Sequence, residues 1–398
     1  MKQIFIMAHS MDIGGAEKSL LGILENIDTT RYRVDLFLLR HEGELLKHLP
    51  EGINLLPPDP LYSSMGVPLK NLIKSGYFKL AYKRYIGKKK ANKKIKELQI
   101  NSDNNIYNEY SHKYTVSVLP QINREEYDLA ISFMSPHYYV AKKINAKKKV
   151  AWIHTDYSTF EVDVESETAM WDMYDEIEAV SDLVREAFLS TLPSLNNKVN
   201  VIENILPYKY IKKISTDFSA EKEMKNDGSI KLLSIGRFAY PKRFDEVPLM
   251  CKKIREKGLN VKWYLIGFGG DEQLINTKIA ENDMREYVIN LGKKENPYPY
   301  IKACDFYLQP SRYEGKSIAV REAQIFLKPV IITNYSTAQG QLKDEVDGVI
   351  VPMELDAAVD AISVFLTDSK KQKRIIENLK HGDYVGVSEI KQLYKLLE

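Results

Sequence analysis

The sequence predicts an α/β protein of two Rossmann-like domains, each a parallel sheet covered by helices. Three observations carry this reading. A continuous apolar, β-branched run at 3–8 leads through Gly14-Gly15 into a segment of helical apolar spacing at 16–27. A second apolar run at 33–39 completes the strand, glycine turn, helix, strand order of a parallel sheet. The pattern then restarts beyond a polar stretch at 212–229. There a strand at 231–235 runs into Gly236, and one at 261–266 runs into Gly267-Phe268-Gly269-Gly270.

Further strands of the first half are expected at 129–133, 150–154, 178–181 and 199–203. The second half adds short strands at 288–291, 306–309, 330–333 and 348–351, with helical segments between them. The domains are expected at 1–205 and 206–387. A last helix, 388–398, has no strand of its own and is read as crossing back to the first domain. Residues 57–120 fit neither half and form an insertion after a strand of the first domain.

A chain of 398 residues with 44% hydrophobic and 28% charged residues is an ordinary globular chain, which excludes disordered and fibrous classes. Two cysteines, Cys251 and Cys304, make neither a disulfide framework nor a cysteine zinc site. The first apolar run is too short for a signal peptide, and no stretch reaches the roughly 20 apolar residues of a membrane span. A cytoplasmic protein is expected. The net charge is only +3, yet residues 70–96 hold eleven Lys or Arg and no Asp or Glu, so the rest is net acidic at −8. Leu69, Leu72, Ile73, Tyr77 and Leu80 recur there at helical spacing, and Phe78, Tyr82, Tyr85 and Ile86 form a second stripe. A basic helix with interleaved aromatics suits an anionic membrane surface.

Several residues have the types and spacing that chemistry needs. Arg237 follows directly on the strand that ends in Gly236, and Lys242 comes five residues later, before a helix-like run. Two fixed cations beside a helix N-terminus suit a diphosphate. Glu314 is read at a strand-to-helix junction with Glu322 two turns further, close to the same helix face. Glu314-Gly315 would then open the helix with free backbone N–H groups. No Asp-x-Asp motif appears and the seven histidines are scattered, so no metal is expected. Gly267 to Gly270 does not fit G-x-G-x-x-G, which argues against a dinucleotide cofactor.

Taken in order, these motifs resemble the retaining glycosyltransferases of family 4, of the bacterial cell-surface polysaccharide type. Gly14-Gly15-Ala16-Glu17 is similar to the family's first glycine loop, and Arg237 with Lys242 to its paired phosphate cations. Glu314 and Glu322 are similar to its two-glutamate motif, and Lys328-Pro329-Val330-Ile331 to the segment that follows. The resemblance implies a GT-B fold of two facing Rossmann-like domains with a cleft between them. It implies that Arg237 and Lys242 bind the donor diphosphate, Glu314 contacts the transferred sugar and Glu322 holds the ribose. Backbone near Lys316, Ser317 and Ile318 would face sugar and phosphates, and the loop 296–300 would border the base. Where the family often has Phe-Gly, this chain has Lys316-Ser317, which leaves the donor sugar open. His154, at a strand end, matches a family histidine near the sugar, and His9 and Ser10 could face the acceptor.

The expectation is a metal-independent retaining transferase without a cofactor. Its donor is a nucleotide sugar, UDP-linked, and its acceptor is a glycan or lipid-linked glycan. It would lie on the cytoplasmic membrane face, bound through residues 70–96. Alternatives are a sugar-nucleotide epimerase of the same fold and a non-catalytic sugar-binding partner of a transferase. A nucleic-acid binder is disfavoured by the acidic remainder of the chain.

Overall fold

A computed structural model of the chain describes residues 1–100 and 104–398. The chain divides into two compact units, Met1–Pro207 with Gly386–Glu398, and Tyr208–Val385. The first unit is built on seven strands: β1 (Lys2–Ala8), β2 (Tyr32–Leu38), β3 (Ile53–Leu55), β4 (Glu126–Ser132), β5 (Asn145–Ile153), β6 (Glu176–Ala179) and β7 (Val199–Val201). They pair in the order β3-β2-β1-β4-β5-β6-β7, every pair parallel. The second unit has six: β8 (Ile230–Ile235), β9 (Val261–Ile266), β10 (Val288–Gly292), β11 (Phe306–Gln309), β12 (Val330–Thr333) and β13 (Val349–Val351). Their order is β10-β9-β8-β11-β12-β13, again all parallel. These are the two Rossmann-like sheets the sequence predicts.

Parallel strands are covered on both faces, so their central runs are wholly apolar. Ile4, Phe5, Ile6 and Met7 of β1 are buried, as are Trp263, Tyr264, Leu265 and Ile266 of β9. Strands β4 and β5 are longer than the apolar runs suggest. Their leading residues are charged and are held at the edge by ion pairs, Lys147 with Asp128 at 2.7 Å and Lys148 with Glu176 at 2.6 Å. Three-residue β3 was not expected, since it is too short to show a period.

In each sheet the chain order reverses once, between β1 and β4 and between β8 and β11. The carboxyl ends of strands flanking such a reversal form the usual ligand crevice. In the second unit those ends carry Gly236-Arg237 and Pro310-Ser311. In the first they carry His9 and Phe133.

The segment between β3 and β4 is helical, with helices Leu69–Lys74, Phe78–Glu97 and Ile106–Thr115. Leu72, Leu80, Ala81 and Ala91 are buried, whereas Ile73, Phe78, Tyr82 and Tyr85 stand exposed. Leu72 and Ile73, read at the same helical spacing, therefore part between core and solvent. Two of the eleven cations are also drawn inward. Arg84 donates to the Val67 carbonyl, and Lys94 lies 3.5 Å from the Asp163 carboxylate. No described helix is long and apolar enough to cross a membrane.

The C-terminal helix Ile390–Lys395 belongs to the first unit. Tyr394 stacks on Tyr32 at 5.0 Å, and its hydroxyl accepts from the Asp28 amide at 2.9 Å. Both cysteines are buried, and burial pushes their thiols up to about 12. That suits core filler.

Candidate active site

Packing at the end of β9 admits only glycine. A Cβ on Gly267 would meet the Gly236 carbonyl at 1.9 Å, so the loops after β8 and β9 lie in direct contact. The Phe238 amide donates to the Phe268 carbonyl at 2.8 Å and fastens the same contact. The glycine run 267–270 thus shapes the loop that carries Arg237. Arg237 is exposed, and no ion pair to it occurs among the described residues. Lys242 ends a short 3-10 turn, Tyr240–Lys242.

The helix expected straight after Lys242 begins later, at Val247–Glu256. Arg243 intervenes in a left-handed conformation, φ +59°, which breaks the helical path. It is held there by two bonds to Glu246, of 2.8 and 2.6 Å, and one to the Met353 carbonyl at 2.8 Å. The cations therefore sit on a loop and turn ahead of that helix.

Glu314 likewise lies in a loop. The helix that holds Glu322 spans Ile318–Ile325, so the shared helix face read from the spacing does not exist. The loop 310–317 is instead pinned by side chains. Thr337 Oγ1 donates to the Glu314 carbonyl at 2.7 Å, and Thr333 Oγ1 to that of Ser311 at 2.5 Å. Arg312 forks onto Asp245 at 2.9 and 2.8 Å, bonds Glu246 at 2.7 Å, and bonds the Tyr240 carbonyl at 2.8 Å. Burial works against the Asp245 charge, but the Arg312 bonds and charge win and hold its carboxyl below the usual range. Arg312 thereby fixes the Glu314 loop against the Lys242 turn.

What this achieves is a direct contact between residues 72 apart in sequence. Lys242 Nζ donates to Glu314 Oε1. The same oxygen accepts from Ser311 Oγ at 2.7 Å and from Gln309 Nε2 at 3.0 Å. Tyr307 OH bonds Gln309 Oε1 at 2.8 Å and so orients the amide. Glu322 is buried, and Tyr298 OH donates to its Oε1 at 2.7 Å. Asn296 caps the turn ahead of Tyr298, accepting from its amide at 3.2 Å. Ser317 precedes the helix and is buried. Its amide donates to Gln341 Oε1 at 2.5 Å, so the free N–H expected here is already engaged. Lys316 and Ile318 flank it, both half-buried. Among the described residues no group of three His, Cys, Asp or Glu is placed to hold a metal.

The first-unit candidates sit at carboxyl ends of β1 and β5. Gly14 caps helix Gly15–Asn26, and a Cβ there would meet Glu17 Oε2 at 2.1 Å. The Glu17 carboxylate thus closes over the glycine loop. Ser10 Oγ donates to Asp12 Oδ2 at 2.6 Å. His154 follows β5, its ring 4.6 Å from Phe133 and its Nε2 buried without a hydrogen bond. Burial lowers its pKa to about 4, so the ring is neutral at pH 7. Residue spacing held no sign that His112 and His137 lie near it, each lowered by burial to about 3. Nor did it reveal Gln309, Ser311 and Arg312 as the supports of Glu314.

Residues 215–382, nearly all of the second unit, match the family model described as Glycosyl transferases group 1. That match covers less than half of the chain. It is similar to the Escherichia coli UDP-Gal:alpha-D-GlcNAc-diphosphoundecaprenol alpha-1,3-galactosyltransferase, 26% identical over 32% of this chain and 34% of that one. It is also similar to the amylovoran biosynthesis glycosyltransferase AmsK of Erwinia amylovora, 26% identical over 35% and 37%. The matched region spans well under half the length of either relative. Solved structures carry the GT-B fold over the whole chain. Anabaena HepE in complex with UDP and glucose aligns with a TM-score of 0.64 over 99% of both chains at 15% identity. TarM of S. aureus, in complex with UDP and other ligands, aligns at 0.63 over 100% of both at 14%.

Proposed function

We propose that this chain is a group 1 glycosyltransferase that transfers a sugar from a UDP-linked donor to a glycan or lipid-linked acceptor in bacterial surface polysaccharide synthesis. Transfer retains the anomeric configuration and needs no metal. The observation that carries the proposal is the exposed, ion-pair-free Arg237 beside Lys242 at the strand-order reversal, with Glu314 fixed against Lys242. A diphosphate brings the negative charge that Arg237 lacks as a partner. The two cations then stabilise the charge that grows on the leaving UDP, the usual main contribution in such sites. Glu314 meets the transferred sugar, Glu322 the ribose, and the backbone at Lys316, Ser317 and Ile318 the sugar and phosphates. Within the first unit, neutral His154 and the Gly14-Gly15 loop are the candidate ligand contacts. The named activities of the E. coli and Erwinia relatives and the UDP in the solved neighbours support this reading.

The partner surface at residues 70–96 is part of the same proposal. Lys88, Lys89 and Lys90 are exposed beside the exposed rings of Phe78, Tyr82 and Tyr85. Each cation near an anionic bilayer contributes about 1 kcal/mol, and the rings suit the interface. The enzyme would thus gather on the inner membrane face where lipid-linked acceptors lie. Incubation with a panel of UDP-, GDP- and ADP-sugars, with released nucleotide measured, tests the catalytic proposal. Release above background from UDP-sugars is expected, and none from any donor would overturn it.

A further inference from the structure

The loop that carries Glu314 is tied to a chain of buried polar groups that reaches back to the end of β8. Tyr307, Gln309 and Ser311 are all fully buried. Tyr307 OH lies 3.2 Å from the carbonyl of Ile235, the residue before Gly236-Arg237, and 2.8 Å from Gln309 Oε1. Burial raises the Tyr307 pKa well above its ordinary value, so the hydroxyl keeps its proton and remains a donor. Gln309 Nε2 has two protons to give, and the geometry uses both, at 2.8 Å to Ser311 Oγ and 3.0 Å to Glu314 Oε1. An ionised carboxylate only accepts, so the amide must turn its nitrogen to Glu314.

The donors to Glu314 converge on one oxygen. Lys242 Nζ, Ser311 Oγ and Gln309 Nε2 share Oε1, whereas Oε2 makes no bond among the described residues. Oε2 is not sealed away, since it is absent from the buried atoms that lack a partner. Lys242 differs from the other two donors. Its side chain is 21% exposed, and it reaches Glu314 from a separate turn. Its ammonium is a point charge with three donors on a flexible stem, so it can be re-aimed. The neutral donors are buried beside Glu314 and stay where they are. A nucleoside diphosphate carries more negative charge than one carboxylate, and Lys242 is the donor that such a ligand can draw away.

We propose that the donor diphosphate takes Lys242 from Glu314, and that Gln309 is the positioning residue that then holds Glu314 Oε1, leaving Oε2 open to a hydroxyl of the transferred sugar. Without donor, Lys242 and Glu314 neutralise each other, so carboxylate and diphosphate compete for one cation. Donor binding breaks that pair and frees Glu314 for the sugar in the same event. Once Lys242 has turned, Gln309 and Ser311 are the donors to Oε1 that remain among the described residues. Gln309 is itself held by Tyr307, so the carboxylate keeps its place through the exchange. This rests on the sugar-transfer reading above and adds how that site is readied.

The test uses the full chain, with UDP titrated calorimetrically and UDP release from the most active UDP-sugar as the rate. Glu314→Gln removes the competing charge but keeps an oxygen for Ser311 and Gln309. It should bind UDP several-fold tighter than wild type while its turnover falls. Unchanged or weaker UDP binding overturns the exchange. Gln309→Glu is nearly isosteric and donates to Glu314 only while the two carboxyls share a proton. Its turnover relative to wild type should therefore fall about tenfold or more between about pH 6 and 9, with wild-type affinity for UDP at the acid end. A residue that merely filled space would leave the pH profile unchanged, and an unchanged profile overturns the positioning role. Gln309→Met keeps the volume without a donor and covers a failure of Gln309→Glu to fold. It loses one hydrogen bond to a charge, so kcat should fall about 10- to 100-fold at every pH with KM for the donor little changed. Wild-type kcat in folded Gln309→Met also overturns the role. A wild type that neither binds UDP nor releases it from any UDP-sugar removes the sugar-transfer reading and this inference with it. Wild-type turnover with either overturning result removes this inference alone.

Discussion

Replacing Lys242 by Ala separates catalysis from stability, because the structure gives the two effects different sizes. The Lys242 side chain is 21% exposed and its partner Glu314 9%. Breaking a pair at that depth would cost several kcal/mol if the carboxylate were left alone. It is not left alone, since Ser311 at 2.7 Å and Gln309 at 3.0 Å still donate to the same oxygen. The loss is therefore that of one charge-assisted bond, about 1.5 kcal/mol. A domain stable by about 5–15 kcal/mol stays folded after such a loss. Turnover behaves differently. Removing a preorganised stabiliser of leaving-group charge lowers the rate by about 10² to 10³. Thermal unfolding and UDP release measured on one preparation should thus diverge, with a shift of a few degrees and a hundredfold or greater fall in rate. A variant that keeps its turnover, or loses it only in proportion to unfolded protein, refutes the role given to Lys242.

Three further outcomes follow from the same structure. Turnover should be unchanged in EDTA, because Arg237 and Lys242 supply the positive charge; loss that a divalent metal restores would contradict this. Wild type should pellet with anionic vesicles at low salt, and less as salt screens the attraction. A variant with Lys74, Lys79, Lys88, Lys89 and Lys90 changed to Gln should pellet far less, and a wild type that stays in the supernatant refutes the membrane surface. Arg84 is left out of that variant because it serves the fold through its bond to Val67. The stability of the first unit should fall most steeply below about pH 4.5. His112, His137 and His154 have folded values below their unfolded one of 6.5, so their stabilisation is present above 6.5 and is lost as pH falls through about 4 to 3. Glu167 and Glu178, raised by burial to about 7, oppose this between 4.5 and 7, since protonation favours their folded form there. Melts whose largest loss falls between pH 6.5 and 5 would contradict the balance.

The parts of the fold legible in sequence are those where burial is complete. Strands β9, β11 and β12 match their expected bounds because each is a mostly apolar, buried run between polar turns. Strands β4 and β5 begin earlier than expected because Lys147 and Lys148 are held by ion pairs that cross strands, and sequence alone does not pair strands. The residues proposed to bind the donor were legible as types at a spacing, but their arrangement was not. Lys242 meets Glu314 only because β8 and β11 are neighbours. Helical spacing put Glu314 and Glu322 on one face, whereas Gly315 and the side-chain bonds to Thr337, Arg312 and Gln341 keep residues 310–317 out of the helix. The buried Glu109, whose Oε1 accepts from Tyr138 and Ser166, was missed because it lies in a polar-looking insertion. Its signal was available: it stands three residues after Ile106 and one before Tyr110, on the helix face that both bury.

The transferred sugar itself tests the central claim most directly. The most active UDP-sugar is incubated with the chain and a lipid-diphosphate saccharide, and the anomeric proton coupling of the product is read by NMR. An α-linked donor should give an α-linked product together with stoichiometric UDP. A β-linked product contradicts retention, and donor consumption without any glycoside or free sugar formed contradicts transfer altogether.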